Sequence, residues 1–186
     1  MAVNNQVCTI EYKKGDIATK AAKAFYKNLE KHYVTVGIHR EEGAKQVGNN
    51  GYTLIKNACN QEFGNTQTVE KTRRFKSPYT GKWFYIKKGT QLNIPPRLFI
   101  RIFNSNKIKK ELTGVFKNQI NANIKKENTY QIYDAVGLWG QLKQKERIIS
   151  NSIKPKNAKM TKVYKGSNTP MYLTGEIFSA IKHEVH

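Results

Sequence analysis

Ile94-Pro95-Pro96 is the strictest constraint in this chain. Each proline fixes its own φ at about −65° and pushes the residue before it out of the α region. Residues 94–96 must therefore be extended, and they set the direction of whatever follows. Before them, β-branched and aromatic residues alternate as in strands. After them, apolar residues recur at helical spacing. The expected fold is α+β: a small antiparallel sheet with a β-hairpin, packed by several α-helices.

Residues 7–12 suit a short strand. Asp16 reads as the N-cap of a first helix. Ile17, Ala21, Ala24, Phe25 and Leu29 follow at helical spacing up to about Tyr33, and this face is expected to pack on the sheet. Residues 34–38 are β-branched and alternating, which predicts a strand. Residues 40–51 carry glycines, charges and Asn49-Asn50-Gly51, and read as a loop. Residues 52–63 predict a second helix with Leu54, Ile55, Ala58 and Cys59 buried, stopped by Gly64.

Residues 68–76 and 82–88 flank Ser77-Pro78-Tyr79-Thr80-Gly81 in a hairpin pattern. A helix is expected from Pro96 or Arg97, with Leu98, Phe99, Ile102 and Phe103 as its apolar edge and a break near Asn104-Ser105-Asn106. Ile108, Leu112, Val115, Phe116, Ile120 and Ile124 mark a longer helix. Ile132, Val136, Trp139, Leu142 and Ile149 mark another, whose Gly137 and Gly140 each weaken it by roughly 1 kcal/mol relative to Ala. Residues 153–168 are basic and poorly periodic, and read as an extended loop. Thr174-Gly175 opens a short last element through Val185. At 186 residues, with no repeat and no separable linker, one domain spanning 1–186 is expected.

Charge narrows the partners. The chain holds 33 Lys and Arg against 13 Asp and Glu, a formal net charge of +20. Such a field favours polyanions: nucleic acid, an anionic surface or acidic protein. From 143 to 165 there are eight basic residues and one acidic, Glu146. In the hairpin, Arg73, Arg74, Lys76 and Lys82 interleave with Phe75, Tyr79, Trp83, Phe84 and Tyr85. An ordinary half-buried hairpin with a cationic outer face is the preferred reading. Stacking on bases with phosphate contacts is a second, and a subunit interface a third. Nucleic-acid candidates are Arg73, Arg74, Lys76, Trp83, Lys143 and Lys145.

The sequence offers little chemistry. His32, His39, His183 and His186 are scattered, and no nucleophile signature accompanies them. Cys8 and Cys59 form no CxxC and argue against a metal site or disulfide framework. Glu41-Glu42 lies beside a glycine and reads as solvated. Lys165-Gly166-Ser167 resembles half a phosphate loop but lacks its upstream glycine spacing. No catalytic, cofactor or metal residue is expected. The first fifteen residues have no apolar core suited to a signal peptide, and no apolar run is long enough to span a bilayer. Assembly in a reducing cytoplasm, without a membrane, is the expectation.

Four segments, in order, resemble the bacteriophage virion-morphogenesis proteins that complete the tail or join head to tail. Val36-Gly37-Ile38 with Glu41-Glu42-Gly43 is similar to the first family motif. Asn60-Gln61-Glu62-Phe63-Gly64-Asn65-Thr66 is similar to the second, with Gln61 and Asn65 inserted. Ile94 to Arg101 resembles I-P-A-R-P-F-L-R, with Pro96 for alanine and Leu98 for the second proline. The fourth is matched by Pro155, Asn157, Ala158, Thr161, Lys165, Gly166, Ser167, Pro170, Thr174, Gly175, Ile177, Ala180, Ile181 and Val185. Lys156 is extra there, and Met171 replaces leucine.

The resemblance implies a non-enzymatic virion protein of the neck or tail end, such as a tail-completion or tail-terminator subunit. It would form a ring, with a hexamer preferred over a dodecamer, between connector and tail tube. It would be assembled in the bacterial host cytoplasm, with genomic DNA passing by. Interface candidates are Pro95, Arg97, Phe99, Arg101, Lys156, Lys159, Lys162, Lys165, Thr174 and Gly175. The basic loop at 154–165, with Lys143 and Lys145, would face acidic neighbours, the preferred reading, or DNA. The alternative function is a stand-alone basic nucleic-acid-binding protein, and a small nuclease ranks third.

Overall fold

The computed structural model describes residues 20–47, 52–77, 79–124, 128–150, 152–166, 168–171 and 175–186. The expected strand at 7–12 and the N-cap at Asp16 lie outside them. The element order is α1 (Lys20–Leu29), β1 (Val34–Ile38), α2 (Arg40–Gly43), β2 (Gln46–Val47), β3 (Tyr52–Thr53), α3 (Leu54–Phe63) and β4 (Asn65–Thr68). Next come β5 (Arg73–Lys76), β6 (Trp83–Ile86), β7 (Gln91–Ile94), a 3₁₀ turn (Arg101–Asn104), α4 (Asn106–Asn123) and α5 (Thr129–Ile149). The chain then runs through α6 (Lys159–Lys165), α7 (Glu176–Ala180) and β8 (Ile181–Val185).

The fold is α+β. Among the described residues its strands form four antiparallel pairs rather than one sheet. β1 pairs with β8 in the register Val34↔Val185 to Ile38↔Ile181. β4 pairs with β7, and β5 with β6. The last two pairs are stretches of one long ribbon. Between them the Val69 amide donates to the Thr90 carbonyl and the Gly89 amide to the Val69 carbonyl.

Helix starts follow their caps. The side chains of Thr53, Ser105 and Asn128 accept from the amides of Lys56, Ile108 and Gln131 at the beginnings of α3, α4 and α5. Gly64 ends α3 at φ +79°, and a Cβ there would meet the Ile94 carbonyl at 2.9 Å and Pro96 at 3.0 Å. Only glycine satisfies both the dihedral and the space.

α5 organises the molecule. It lies across β1 and β8 and alongside α4. Its close approach to the strands depends on glycine: a Cβ at Gly137 would sit 2.6 Å from the His183 ring and 2.7 Å from Val34, and one at Gly140 would sit 3.1 Å from Val36. The two glycines expected only to weaken the helix therefore set its packing distance. His183 is tied over this point by bonds to Gln141 (2.8 Å) and Asp134 (3.1 Å).

Two apolar clusters result. One gathers Leu54, Ala58, Phe99, Ile148, Ile153, Ile177, Ala180 and Ile181. The other joins Phe25, Leu29 and Ile132, bordered by Phe116, Ile120 and Tyr133. Fully burying a side chain the size of Phe99 is worth about 1.5–3 kcal/mol.

Several expectations need correction. The α1 face packs on α4 and α5, not on a sheet, because α5 already covers the β1–β8 pair; Tyr133 also donates to the Leu29 carbonyl at 2.7 Å. The stretch expected as a loop at 40–51 holds α2 and β2 among its described residues. In α3 the buried stripe is Leu54, Ala58 and Glu62, leaving Ile55 and Cys59 exposed. No α-helix forms at 96–100, because the amides of Phe99 and Ile100 bond to the Glu62 side chain instead of to carbonyls one turn back. Residues 159–165 are helical rather than extended, ended by Gly166 at φ +66°. Leu142 and Ile149 of α5 are each 56% exposed, not core.

Candidate interaction surfaces

The most constrained cluster is built on the end of α3. Spacing by four puts Leu54, Ala58 and Glu62 on one stripe, so an acidic side chain enters the core. Its carboxylate accepts from the amides of Phe99 (2.8 Å), Ile100 (3.0 Å) and Arg101 (3.2 Å), and from Arg101 Nε (2.8 Å). Burial pushes the Glu62 carboxyl upward, but the Ile100, Phe99 and Arg101 donors overcome this and hold it below the ordinary range. The Arg101 guanidinium also donates to the Glu62 carbonyl and lies 4.6 Å from the Phe63 ring centre.

Arg97 extends the cluster. Its amide donates to the Gln61 carbonyl at 2.7 Å. Its buried guanidinium donates to Gln61 Oε1 (2.8 Å), the Pro155 carbonyl (2.9 Å) and the Lys156 carbonyl (3.5 Å). Lys165 is half-buried, donates to the Thr169 carbonyl at 2.9 Å, and has its pKa lowered by burial and by nearby Arg97. Thus 61–64, 94–101 and 155–170 meet in one place.

A second surface lies on the ribbon. Strand alternation places Phe75 and Phe84 on one side of β5–β6, stacked with centroids 5.6 Å apart. Tyr164 of α6 meets both rings edge-on, at 5.5 and 5.9 Å, and its carbonyl accepts from Ser77 Oγ. Arg74, Lys76, Trp83 and Tyr85 project from the opposite side. The Arg74 guanidinium sits 4.0 Å from the Trp83 ring centre and 5.6 Å from that of Tyr85, with Lys76 Nζ 6.0 Å from Trp83. Trp83 and Tyr85 are 51% and 60% exposed. At the ribbon tip Lys82 and Thr80 face Lys159 and Lys162 of α6 across a shallow groove.

The sequence-predicted residues divide accordingly. Phe99 is fully buried and Arg97 is 6% exposed, so both are held inside the subunit instead of being offered to a neighbour. Pro95 is half-buried. Arg101 keeps 42% of its side chain exposed, yet is committed to Glu62. The Lys156 carbonyl serves Arg97, and Lys165 points inward. Lys159 and Lys162 are exposed, Gly175 precedes α7, and Thr174 lies outside the described residues.

Of the nucleic-acid candidates, Arg73, Arg74, Lys76 and Trp83 are exposed on the ribbon. Lys143 is tied to Glu111 (3.2 Å) and Glu146 (3.8 Å), which raise its pKa. Lys145 lies over Phe178 at 5.2 Å. Neither joins the ribbon group.

Sequence reasoning missed the role of Glu62, although an acid on an apolar stripe was its signal. It also missed Tyr164 and the approach of the hairpin's Lys82 to α6, since their partners lie some 80 residues away. A third surface was misread in part as core: Leu142 and Ile149, expected to be buried, form with Leu138 an exposed apolar stripe on α5. Among the described residues no group of three His, Cys, Asp or Glu could hold a metal ion, and no helix is long and apolar enough to cross a membrane.

Comparison with protein-family models, curated proteins and solved structures found no match.

Proposed function

We propose that this chain is a structural virion protein of a tailed bacteriophage, a neck or tail-completion subunit acting in a ring between connector and tail. One observation carries the reading: the four segments that resemble the phage family are mutual contacts in space. Glu62 of the second segment binds the amides of the third. Arg97 of the third reaches the fourth. The first, in β1, pairs with the end of the fourth, in β8. Motifs matched by chance have no reason to be linked one to the next in this way.

The outer surface is consistent with assembly. An apolar stripe on α5 and the half-buried apolar face of α4 leave hydrophobic area for neighbouring copies to cover. A heterologous contact repeated through a closing rotation makes a ring. The role proposed is mechanical and non-enzymatic, as the resemblance implies, and it fits the use of Glu62, Arg97 and Arg101 in holding backbone segments together.

Native mass spectrometry and negative-stain microscopy of nuclease-treated protein test this. A closed ring, with six copies preferred, that adds to connector or tail-tube proteins is the expected result. A monomer at all concentrations that adds to neither overturns the proposal.

A further inference from the structure

Two long stretches of this chain contain no carboxylate. Residues 71–110 hold twelve Lys and Arg with no Asp or Glu, and residues 147–175 hold six with none. These eighteen cations supply nearly all of the net charge of +20. The fold brings the two stretches together, because Tyr164 of α6 packs on Phe75 and Phe84 of the ribbon.

Lys82, Lys159 and Lys162 line the groove where they meet, and Arg74 and Lys76 stand on the other face of the ribbon; all five are exposed, and among the described residues none of them is in an ion pair. We propose that the β5–β6 ribbon, with Arg74 and Lys76 on one face and Lys82 beside Lys159 and Lys162 of α6 on the other, enters a groove of duplex DNA and binds the phosphate backbone on both sides of it without reading its sequence. This stands on charge and geometry alone and does not rest on the phage reading.

Three features select this occupant. Charge complementarity requires a polyanion. Four of the five cations are lysines, which are depleted in protein–protein interfaces but serve well as point charges on phosphate. The Trp83 and Tyr85 rings are occupied by Arg74, which they hold in place for a phosphate oxygen; this favours backbone contact over base stacking on a single strand.

Fluorescence anisotropy with a random-sequence duplex of about two helical turns, over a salt series, tests the proposal. Each phosphate contact contributes about −0.9 to the slope of log K against log salt, so five cations predict roughly −4 to −5. K159A/K162A should make the slope shallower by about 2, while K23A/K27A on α1, with the same charge loss, should leave it unchanged. Circular dichroism checks that each variant is folded. Equal losses in both variants overturn the proposal in favour of diffuse attraction. A single strand of equal length binding more tightly overturns it in favour of base stacking. Polyglutamate competing as well as the duplex overturns it in favour of an acidic protein partner.

Discussion

Arg101 and Glu62 hold each other twice: both the Nε and the amide of Arg101 donate to the same carboxylate oxygen, at 2.8 and 3.2 Å. The partners differ in exposure, with side-chain values of 42% and 1%. Removing them should therefore cost different amounts. Glu62→Ala strands buried amides and should destabilise by about 3–5 kcal/mol. Arg101→Ala removes a half-solvated partner and should cost about 1 kcal/mol. Urea unfolding of both variants measures this, and equal costs would show that the amides do not depend on the carboxylate.

Acid should unfold the protein through two carboxylates. Glu42, hydrogen-bonded to Lys182 and Lys45, has its pKa lowered from 4.5 to about 2, and that of Glu62 is also lowered. Each binds a proton less readily folded than unfolded. Their stabilisation is complete above about pH 4.5 and declines as pH falls toward the folded values. Thermal scans from pH 7 to pH 3 should show a nearly flat region followed by a falling midpoint. Glu42→Gln should make the fall shallower, and an unchanged profile would remove Glu42 from the account.

Helix propensity and packing make opposite demands on two glycines. Gly114 of α4 has nothing within 4 Å of an added Cβ, so Gly114→Ala should stabilise by up to about 1 kcal/mol. Gly137→Ala gains the same propensity but drives a methyl into Val34 and His183, and should destabilise by about 1–3 kcal/mol net. Denaturant midpoints of the pair give the two signs; a stabilising Gly137→Ala would mean that α5 is free to shift away from the strands.

The exposed stripe on α5 separates folding from assembly. Leu142→Lys should change monomer stability by less than about 0.5 kcal/mol, since the side chain is largely solvated already. It should abolish any oligomer that uses this face. Sedimentation velocity reads assembly and thermal melting reads stability; loss of stability with intact assembly would make Leu142 a core residue.

The legible parts of this fold were those written in local spacing. β1, α3, the ribbon's strands and the two long helices follow from periodicity and caps such as Thr53 and Ser105. The turn at Gly64 follows from the residue itself. What escaped is non-local. Glu62 is understood only when amides 37 residues later arrive. The α1 face could be recognised as apolar, but its covering by α4 and α5 depended on Gly137 bringing α5 onto the strands. Residues 159–165 have little periodicity, and their helix is secured by Tyr164 lodging against the ribbon. The basic surface was visible as composition, while the separation of tied Lys143 from exposed Lys159 required three dimensions.

The pairing of β1 with β8 also fixes a timetable. Val34–Ile38 waits for a partner made nearly 150 residues later. At about 5–20 residues per second of synthesis, that interval is roughly 8–30 s. Throughout it the pairing edge of the first strand is open, and α5, once made, has β1 but not β8 to close against. Folding of this half therefore finishes only after residues 181–185 have been made, and a nascent chain stalled before them should need chaperone cover that the finished protein does not.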